Sequence, residues 1–195
     1  MVFHYSFIFV VLSFMIIRVA YHRLALRTMG KAEFKEGSLA KGVRLVLALP
    51  LVAVLVTYMV QPEVLSWAAF PLPEWARWVG LLMALAALPL LWWVHSSLGS
   101  NFSGLLHVRE EHTLVTNGPY RWVRHPMYSV FYLYMIGILL LTSNWLIGGL
   151  MLAGLTLVMV TRLEREEKTM IEKFGDRYRD YMKHTGRFLP PIGAQ

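Results

Sequence analysis

The feature that most constrains this chain is a run of 37 residues, from 125 to 161, without a single Lys, Arg, Asp or Glu. As one straight α-helix the run would be about 55 Å long, whereas the hydrocarbon core of a membrane is about 30 Å thick. The run must therefore fold back on itself. Because its only polar triplet is Thr-Ser-Asn at 142–144, we predict a helical hairpin with arms at 128–141 and 145–161.

Three further charge-free runs predict three more membrane spans. The first covers 1–17, the second covers 45–62, and the third begins at Trp78, with its apolar part ending near Val94. A cleaved signal peptide is disfavoured for the first run because a basic n-region and a small-residue cleavage site are missing. Together with the hairpin, these runs predict an all-α integral membrane protein with about five transmembrane helices.

Composition supports this fold class and excludes several others. The 195 residues are 56% hydrophobic and 16% charged, whereas an average soluble domain has about 25% charged residues. A separate soluble catalytic domain needs roughly 100 residues, which the loops and tail do not supply. The absence of cysteine excludes disulfides, thiol nucleophiles and cysteine-ligated metals. His107 and His112 lack the spacing of a known metal motif, so we predict no metal, and we expect His95 to be interfacial or solvated.

The basic residues predict the orientation. They concentrate at 21–44, at 95–126 and in the tail from Arg162, whereas the connections on the other side carry only Arg77. By the positive-inside rule, we expect the N-terminus outside and these three basic segments in the cytoplasm. Spread over juxtamembrane loops, the net charge of +7 favours membrane lipids rather than nucleic acid as partners.

The small residues of the second hairpin arm predict how the two arms pack. Glycine at an interface between membrane helices lets the two backbones approach closely. We therefore expect the arms to touch at three glycines of this arm, namely Gly148, Gly149 and Gly154.

Two polar stretches on the cytoplasmic side are long enough for a functional site. The first, at 112–128, reads HTLVTNGPYRWVRHPMY. Its turn residues predict a non-helical loop, and the proline after His125 predicts an extended conformation at that residue. The residues alone leave two interpretations open: a basic, aromatic interface anchor, or a loop that recognises a polar cofactor.

The second stretch, at 162–181, reads RLEREEKTMIEKFGDRYRDY and predicts a helix that continues out of the last span. Arg162 and Glu166 lie four residues apart on one face, and Glu167 lies beside them. A solvated, salt-bridged helix is the plain interpretation. Its apolar stripe predicts that it lies either on the bilayer surface or over the loop.

In combination, the two stretches resemble a known family. The matching features are His with LVT at 112–115, GPY at 118–120, RHPMY at 124–128, the short hairpin, EE at 166–167, and FG, Tyr and Tyr at 174–181. This pattern resembles the isoprenylcysteine carboxyl methyltransferase family with its bacterial and archaeal relatives. The resemblance covers about 107–191, and Ser129 departs from it where the family often has glycine.

The resemblance implies a multi-pass membrane enzyme that transfers a methyl group from S-adenosylmethionine to a lipid or lipidated substrate, with S-adenosylhomocysteine as product. It divides the chain into N-terminal spans with their basic loop at 1–106 and a catalytic region at 107–195, within one compact membrane domain. The catalytic residues it implies are Arg162, which would face the substrate, Glu166 and Glu167. The cofactor-binding residues it implies are His107, His112, Thr113, Leu114, Val115, Gly118, Tyr120, His125, Pro126, Met127, Tyr128 and, again, Glu166.

The expected acceptor is a carboxylate, such as that of a prenylcysteine, because Arg162 suits a carboxylate, and a carboxylate needs no deprotonation near neutral pH. Three alternatives remain: methylation of a lipid-headgroup amine with Glu166 or Glu167 as base, a membrane NADPH-dependent reductase, and a non-catalytic lipid-binding protein. The small size favours a prokaryotic cell membrane, and we expect the tail helix to cap the cofactor.

Overall fold

The computed structural model describes residues 1–28, 38–99 and 113–191, and at 25–28 and 38–47 it describes the backbone alone. Within these ranges the chain is helical, and two isolated bridges are the only β-type pairing. Short 3₁₀ helices lie at Pro62–Ala68 and Gly118–Arg121. The α-helices are α1 (Val2–Thr28), α2 (Ser38–Val60), α3 (Glu74–Leu98), α4 (Pro126–Thr142), α5 (Trp145–Phe174) and α6 (Asp176–His184). The predicted all-α class is confirmed.

The predicted hairpin is also confirmed, and its polar triplet explains the turn. Ser143 ends α4 in a left-handed conformation, with φ of 52°. The Asn144 side-chain oxygen then accepts the backbone N–H groups of Leu146 at 3.1 Å and Ile147 at 3.2 Å. This is a helix N-cap, which satisfies two donors that the first turn of α5 leaves without partners.

Several helices are built to cross a membrane. Within the described ranges, three are long and apolar enough: α3, α5 and residues Val2–Leu24 of α1. Residues Ala48–Val60 and Pro62–Ala68 would form a fourth span as a pair bent by 117°. At 17 residues α4 is about 25 Å long, shorter than the hydrocarbon core. The chain is a multi-pass membrane protein, while the count of five spans stays a prediction.

A close crossing of two helices joins α3 to α4 at a pair of glycines. A Cβ atom on Gly80 would lie 2.5 Å from the backbone nitrogen of Leu141, and one on Gly137 would lie 2.7 Å from that of Ala84. Only glycine therefore fits at either position, as at other close crossings of membrane helices.

The three glycines of the second hairpin arm behave differently from one another. Gly148 packs against Leu139 of α4, as predicted, whereas a Cβ on Gly149 or Gly154 would have no neighbour within 4 Å. The prediction of close approach was therefore wrong for these last two. Periodicity shows where a helix is, but the face that meets its neighbour depends on the whole bundle.

The charged end of α5 projects from the uncharged run. The helix is 30 residues, or about 45 Å, long, so its charged part beyond 161 lies outside the membrane-spanning segment. It does not continue to 181 as predicted, because Gly175 has φ of 56° and the chain turns there into α6. Tyr178 is then buried, and the Tyr181 hydroxyl donates to the Tyr120 carbonyl at 2.5 Å. This part of the apolar stripe thus packs over the loop.

Candidate functional site

The loop that precedes α4 is held against α3. Gly118 has φ of 55°, and a Cβ there would lie 2.4 Å from the Ser97 hydroxyl oxygen. The loop forms one 3₁₀ turn, with Tyr120 buried. His125 is non-helical, with φ of −123° and ψ of 58°, and so does not adopt the extended conformation that was predicted for it. Pro126 begins α4, where its missing N–H costs no helical hydrogen bond. This geometry brings His125 and the first turn of α4 to the charged end of α5.

Glu166 of α5 faces this first turn. The Tyr128 hydroxyl lies 3.3 Å from its Oε1 and 3.4 Å from its Oε2. Arg162 Nη2 lies 3.3 Å from Oε1, and His125 Nδ1 lies 3.8 Å from Oε2. The Glu166 side chain is 23% exposed, so the carboxylate is held by its neighbours and still accessible.

Glu167, the next residue, is enclosed. Its Oε1 lies 3.3 Å from each of Arg124 Nε, His125 Nε2 and Arg187 Nε, and its Oε2 lies 2.6 Å from Arg187 Nη2. The side chain is only 7% exposed. Hydrogen bonds from His125 and then Arg187, together with their positive charge, lower the pKa of Glu167 to about 2 although burial opposes this. Glu167 is therefore ionised at every physiological pH and ties three elements together.

The third of these elements is the tail after α6, which runs beside the loop. Gly186 N donates to the Trp122 carbonyl at 3.0 Å, Arg124 N to the Gly186 carbonyl at 2.8 Å, and His125 N to the Arg187 carbonyl at 3.1 Å. The Arg124 guanidinium also donates to the carbonyls of Met182 and Thr185. The tail thereby acts as a strap that holds the loop in place. The sequence analysis predicted neither this strap nor the role of Arg187.

Ser129, in the first turn of α4, contacts the same strap. Its hydroxyl donates to the Phe188 carbonyl at 2.6 Å. The Phe188 ring in turn lies 6.2 Å from that of His125 and 6.5 Å from that of Tyr128. The serine therefore adds a contact between α4 and the tail.

A groove of about 490 Å³ opens between the loop and α6, within the 300–1,000 Å³ typical of ligand pockets. It carries three basic side chains, one carboxylate, one tyrosine and small polar groups. Its lining residues are Leu114, Thr116, Arg121, Arg177, Asp180, Tyr181, His184 and Thr185. Leu114 is the only residue of the expected cofactor set among them.

The structure brings together part of the expected site. His125, Tyr128, Arg162, Glu166 and Glu167 form one cluster of hydrogen bonds and ion pairs, in which a 3.8 Å contact from His125 to Glu166 joins the two glutamates. The other expected residues lie around it or apart from it: Pro126 is buried, Val115 and Met127 pack against the core, Thr113 is exposed, and His107 and His112 lie outside the described residues. In the described part of the chain, no group of three or more His, Asp or Glu residues could hold a metal ion.

Comparison with known proteins places this arrangement in a family. Residues 78–172 match the model of the isoprenylcysteine carboxyl methyltransferase (ICMT) family. The matched part is just under half of the chain. It includes α3, the loop, the hairpin and both glutamates, so the resemblance predicted from the sequence is confirmed.

Relatives in the family align with a larger part of the chain. Protein-S-isoprenylcysteine O-methyltransferase of Xenopus laevis is 36% identical over 124 residues, which are 60% of this chain and 42% of that protein. The protein of the same name from Rattus norvegicus is 32% identical over 132 residues, 67% of this chain and 46% of that protein. The chain thus spans less than half the length of these relatives.

One solved structure shares the fold. It is described as the eukaryotic intramembrane Ras methyltransferase ICMT without a monobody, and it superposes with a TM-score of 0.60 at 22% identity. The match covers 96% of this chain and 68% of that one. The family fold therefore extends to the N-terminal helices, which carry no motif of their own.

Proposed function

We propose that this chain transfers a methyl group from S-adenosylmethionine to a lipid or lipidated carboxylate, such as that of a prenylcysteine. The observation that carries the proposal is the Glu166 cluster. A carboxylate that is held by Tyr128 and Arg162 and still 23% exposed lies within the family-matched region. The names of the relatives support the same reaction class.

The residues at hand fit such a methyl donor. The exposed edge of Glu166 suits the donor's ammonium or ribose hydroxyl groups, to which a carboxylate makes charge-assisted hydrogen bonds. His125 and Tyr128 add a polar wall beside it, and the groove at Leu114 has the volume of a small-molecule site. When bound, the donor supplies an electrophilic methyl group on a sulfonium. We assign donor binding to Glu166, His125, Tyr128 and the loop segment around Leu114.

The protein's own contribution to the reaction would be alignment. A carboxylate acceptor is ionised near neutral pH and needs no base, so orientation and exclusion of water govern the rate. Arg162 lies where α5 emerges from its uncharged run, and its planar guanidinium can orient an acceptor that arrives from the bilayer. We further propose that Glu167 acts as a positioning residue, since fixed side chains of the protein already surround both of its oxygens.

The proposed location follows from the same residues. A water-soluble donor would enter from the side where the loop and tail lie, which the positive-inside rule makes cytoplasmic, and the N-terminus would be outside. We also propose that the chain divides into N-terminal spans at 1–106 and a catalytic region at 107–195. The proposed location is a prokaryotic cell membrane.

Calorimetry of detergent-purified protein with S-adenosylhomocysteine tests donor binding. We expect micromolar affinity, at least a tenfold loss in Glu166→Gln, and no change in Glu164→Gln, an exposed carboxylate on the same helix. NADPH is titrated in the same way, to test the reductase alternative. Binding of NADPH alone, or equal losses in both variants, would contradict the proposal.

Methyl transfer to two acceptors tests the second substrate. An S-farnesylcysteine should accept labelled methyl groups from S-adenosylmethionine with a rate that changes little above about pH 5, where its carboxylate is ionised. Phosphatidylethanolamine offers an amine that must first lose a proton, so its methylation would rise with pH. Transfer to this amine alone would replace the carboxylate proposal with the amine alternative.

A further inference from the structure

A second polar cluster lies between α1, α3 and α4, at the same end of the bundle as the candidate site. Arg18 Nη1 lies 3.2 Å from His95 Nε2, and the guanidinium carbon lies 5.3 Å from the centroid of the Phe131 ring. Arg18 precedes the family-matched region, and none of the roles proposed above involves it. The cluster therefore requires an explanation of its own.

His95 holds the arginine without neutralising it. The expectation that His95 is interfacial or solvated was wrong, because its exposed fraction is 0%. Its Nδ1 lies 2.9 Å from the Leu91 carbonyl oxygen, which can only accept, so Nδ1 carries the proton. Nε2 is then the acceptor that an arginine N–H requires. The imidazole in this arrangement is neutral, and its tautomer is fixed from both sides.

The positive charge of Arg18 has no counter-charge in the described part of the chain. Arginine stays protonated in proteins, and the hydrogen bond found for its guanidinium goes to neutral His95. No described carboxylate forms an ion pair with it. Placing an ionised side chain at the edge of the hydrocarbon costs free energy, and such side chains usually serve a function. We therefore expect an anion from outside the chain to bind this charge.

The surroundings indicate where that anion comes from. Arg18 itself is half-buried. Val19, the next residue, and Trp92, about one helical turn before His95, are exposed on the outside of the bundle at 43% and 55%. The Tyr21 hydroxyl lies 3.5 Å from the Trp92 carbonyl, and the two rings lie 5.1 Å apart. Tyr and Trp are enriched at the depth of lipid headgroups. The cluster therefore borders lipid, at the level where headgroup phosphates lie.

We propose that Arg18, oriented by His95, binds the phosphate of an anionic membrane lipid at the edge of α1 and α3. The planar guanidinium can donate two parallel N–H groups to phosphate oxygens, which a freely rotating lysine ammonium does less well. The contact with the Phe131 ring and the hydrogen bond to His95 hold this fork in place before the lipid arrives. The lipid would pin α1 to the helices that carry the candidate site, and this proposal does not depend on methyl transfer.

Native mass spectrometry of the full chain released from micelles tests the site, with dioleoyl-phosphatidylglycerol and dioleoyl-phosphatidylcholine as the two lipids. We expect tighter retention of phosphatidylglycerol by the wild type and a loss of at least fivefold in Arg18→Gln. Arg23→Gln is the matched control, because Arg23 is an exposed arginine on the same helix and loses the same charge. It should change retention by less than twofold.

A charge-preserving variant covers the case in which the glutamine variant unfolds. Arg18→Lys keeps the positive charge but not the fork, and we expect at least a twofold loss of phosphatidylglycerol. Equal losses in the Arg18→Gln and Arg23→Gln proteins would mean a general attraction to basic loops and would overturn the proposal. Oleate is a third ligand in this comparison. If Arg18→Gln lost oleate but kept phosphatidylglycerol, the bound anion would be a carboxylate and the proposal would be overturned.

Discussion

Two neighbouring carboxylates on α5 have opposite surroundings. Glu166 is 23% exposed and meets one hydroxyl, one arginine and one more distant imidazole. Glu167 is 7% exposed and meets two arginines and the same imidazole at hydrogen-bond distance. Because consecutive helical residues point about 100° apart, one glutamate faces the first turn of α4 while the other faces the strap.

The two glutamates therefore have different proposed roles: Glu166 is a candidate ligand-binding group, and Glu167 is a structural one. His125 lies between the two, with Nε2 toward Glu167 and Nδ1 toward Glu166. Since Glu167 accepts at Nε2, it fixes which edge of the ring faces Glu166. A buried, fully paired carboxylate thus orients a residue beside the accessible one, as outer-shell partners do around other functional sites.

The largest effect should come from Glu167→Gln. Removing one partner of a buried ion pair leaves the others with uncompensated charge and costs about 3–5 kcal/mol. We expect the free energy of unfolding, measured by SDS titration in mixed micelles, to fall by about 3 kcal/mol. Glu166→Gln should lower it by less than about 1 kcal/mol because that side chain is partly screened by water. If both variants lost the same free energy of unfolding, the two glutamates would not differ in their structural role.

Acid should act on the same group. The pKa of Glu167 is lowered from 4.5 to about 2, so its ionised form contributes stability that is fully present above pH 4.5 and is lost as the pH falls through 2. We expect the gap in unfolding free energy between wild type and Glu167→Gln to shrink by up to about 3 kcal/mol over this window. It should stay constant from pH 5 to 8. A gap that closed near pH 6 would contradict this assignment.

Local sequence features predicted the hairpin well because they act locally. A charge-free run longer than a membrane must turn, and Asn144 caps the helix that follows the turn. The proline after His125 likewise keeps that residue out of the helical conformation, although its ψ of 58° is not the extended value that was predicted. Each of these features depends on a few neighbouring residues, which the sequence displays directly.

The strap and the two arginines that pair with Glu167 could not be predicted in the same way. Arg124 and Arg187 are far apart in sequence and reach the same carboxylate, Glu167, only because the tail returns along the loop. In the sequence, Arg187 is one more basic residue of a basic tail. The Gly80 and Gly137 crossing is similar, since either glycine becomes essential only opposite the other helix. Such contacts depend on the packing of the bundle rather than on periodicity.

Arg187→Gln should have an intermediate effect and test the strap itself. The Arg187 side chain is 47% exposed, so its loss is moderated by water, but two of its nitrogens contact Glu167. We expect a fall of about 1–2 kcal/mol in the free energy of unfolding, close to the value of a hydrogen bond to a charged group. Arg179→Gln, an exposed arginine of α6 paired with Asp176, should change it by less than about 0.5 kcal/mol.

The smallest effect on the fold should come from Tyr128→Phe, which removes only a hydroxyl from the accessible side. Its hydrogen bonds to Glu166 are 3.3 and 3.4 Å long and reach a partly exposed carboxylate, so we expect less than about 1 kcal/mol in the free energy of unfolding. Binding of S-adenosylhomocysteine should still weaken by about threefold to tenfold, since the same hydroxyl orients the carboxylate that would hold the ligand. Arg187→Gln should show the opposite pattern: it should lower the free energy of unfolding more than it weakens binding of S-adenosylhomocysteine. If Tyr128→Phe destabilised the protein as much as Arg187→Gln and left ligand affinity unchanged, Glu166 would be a second structural carboxylate rather than a binding group.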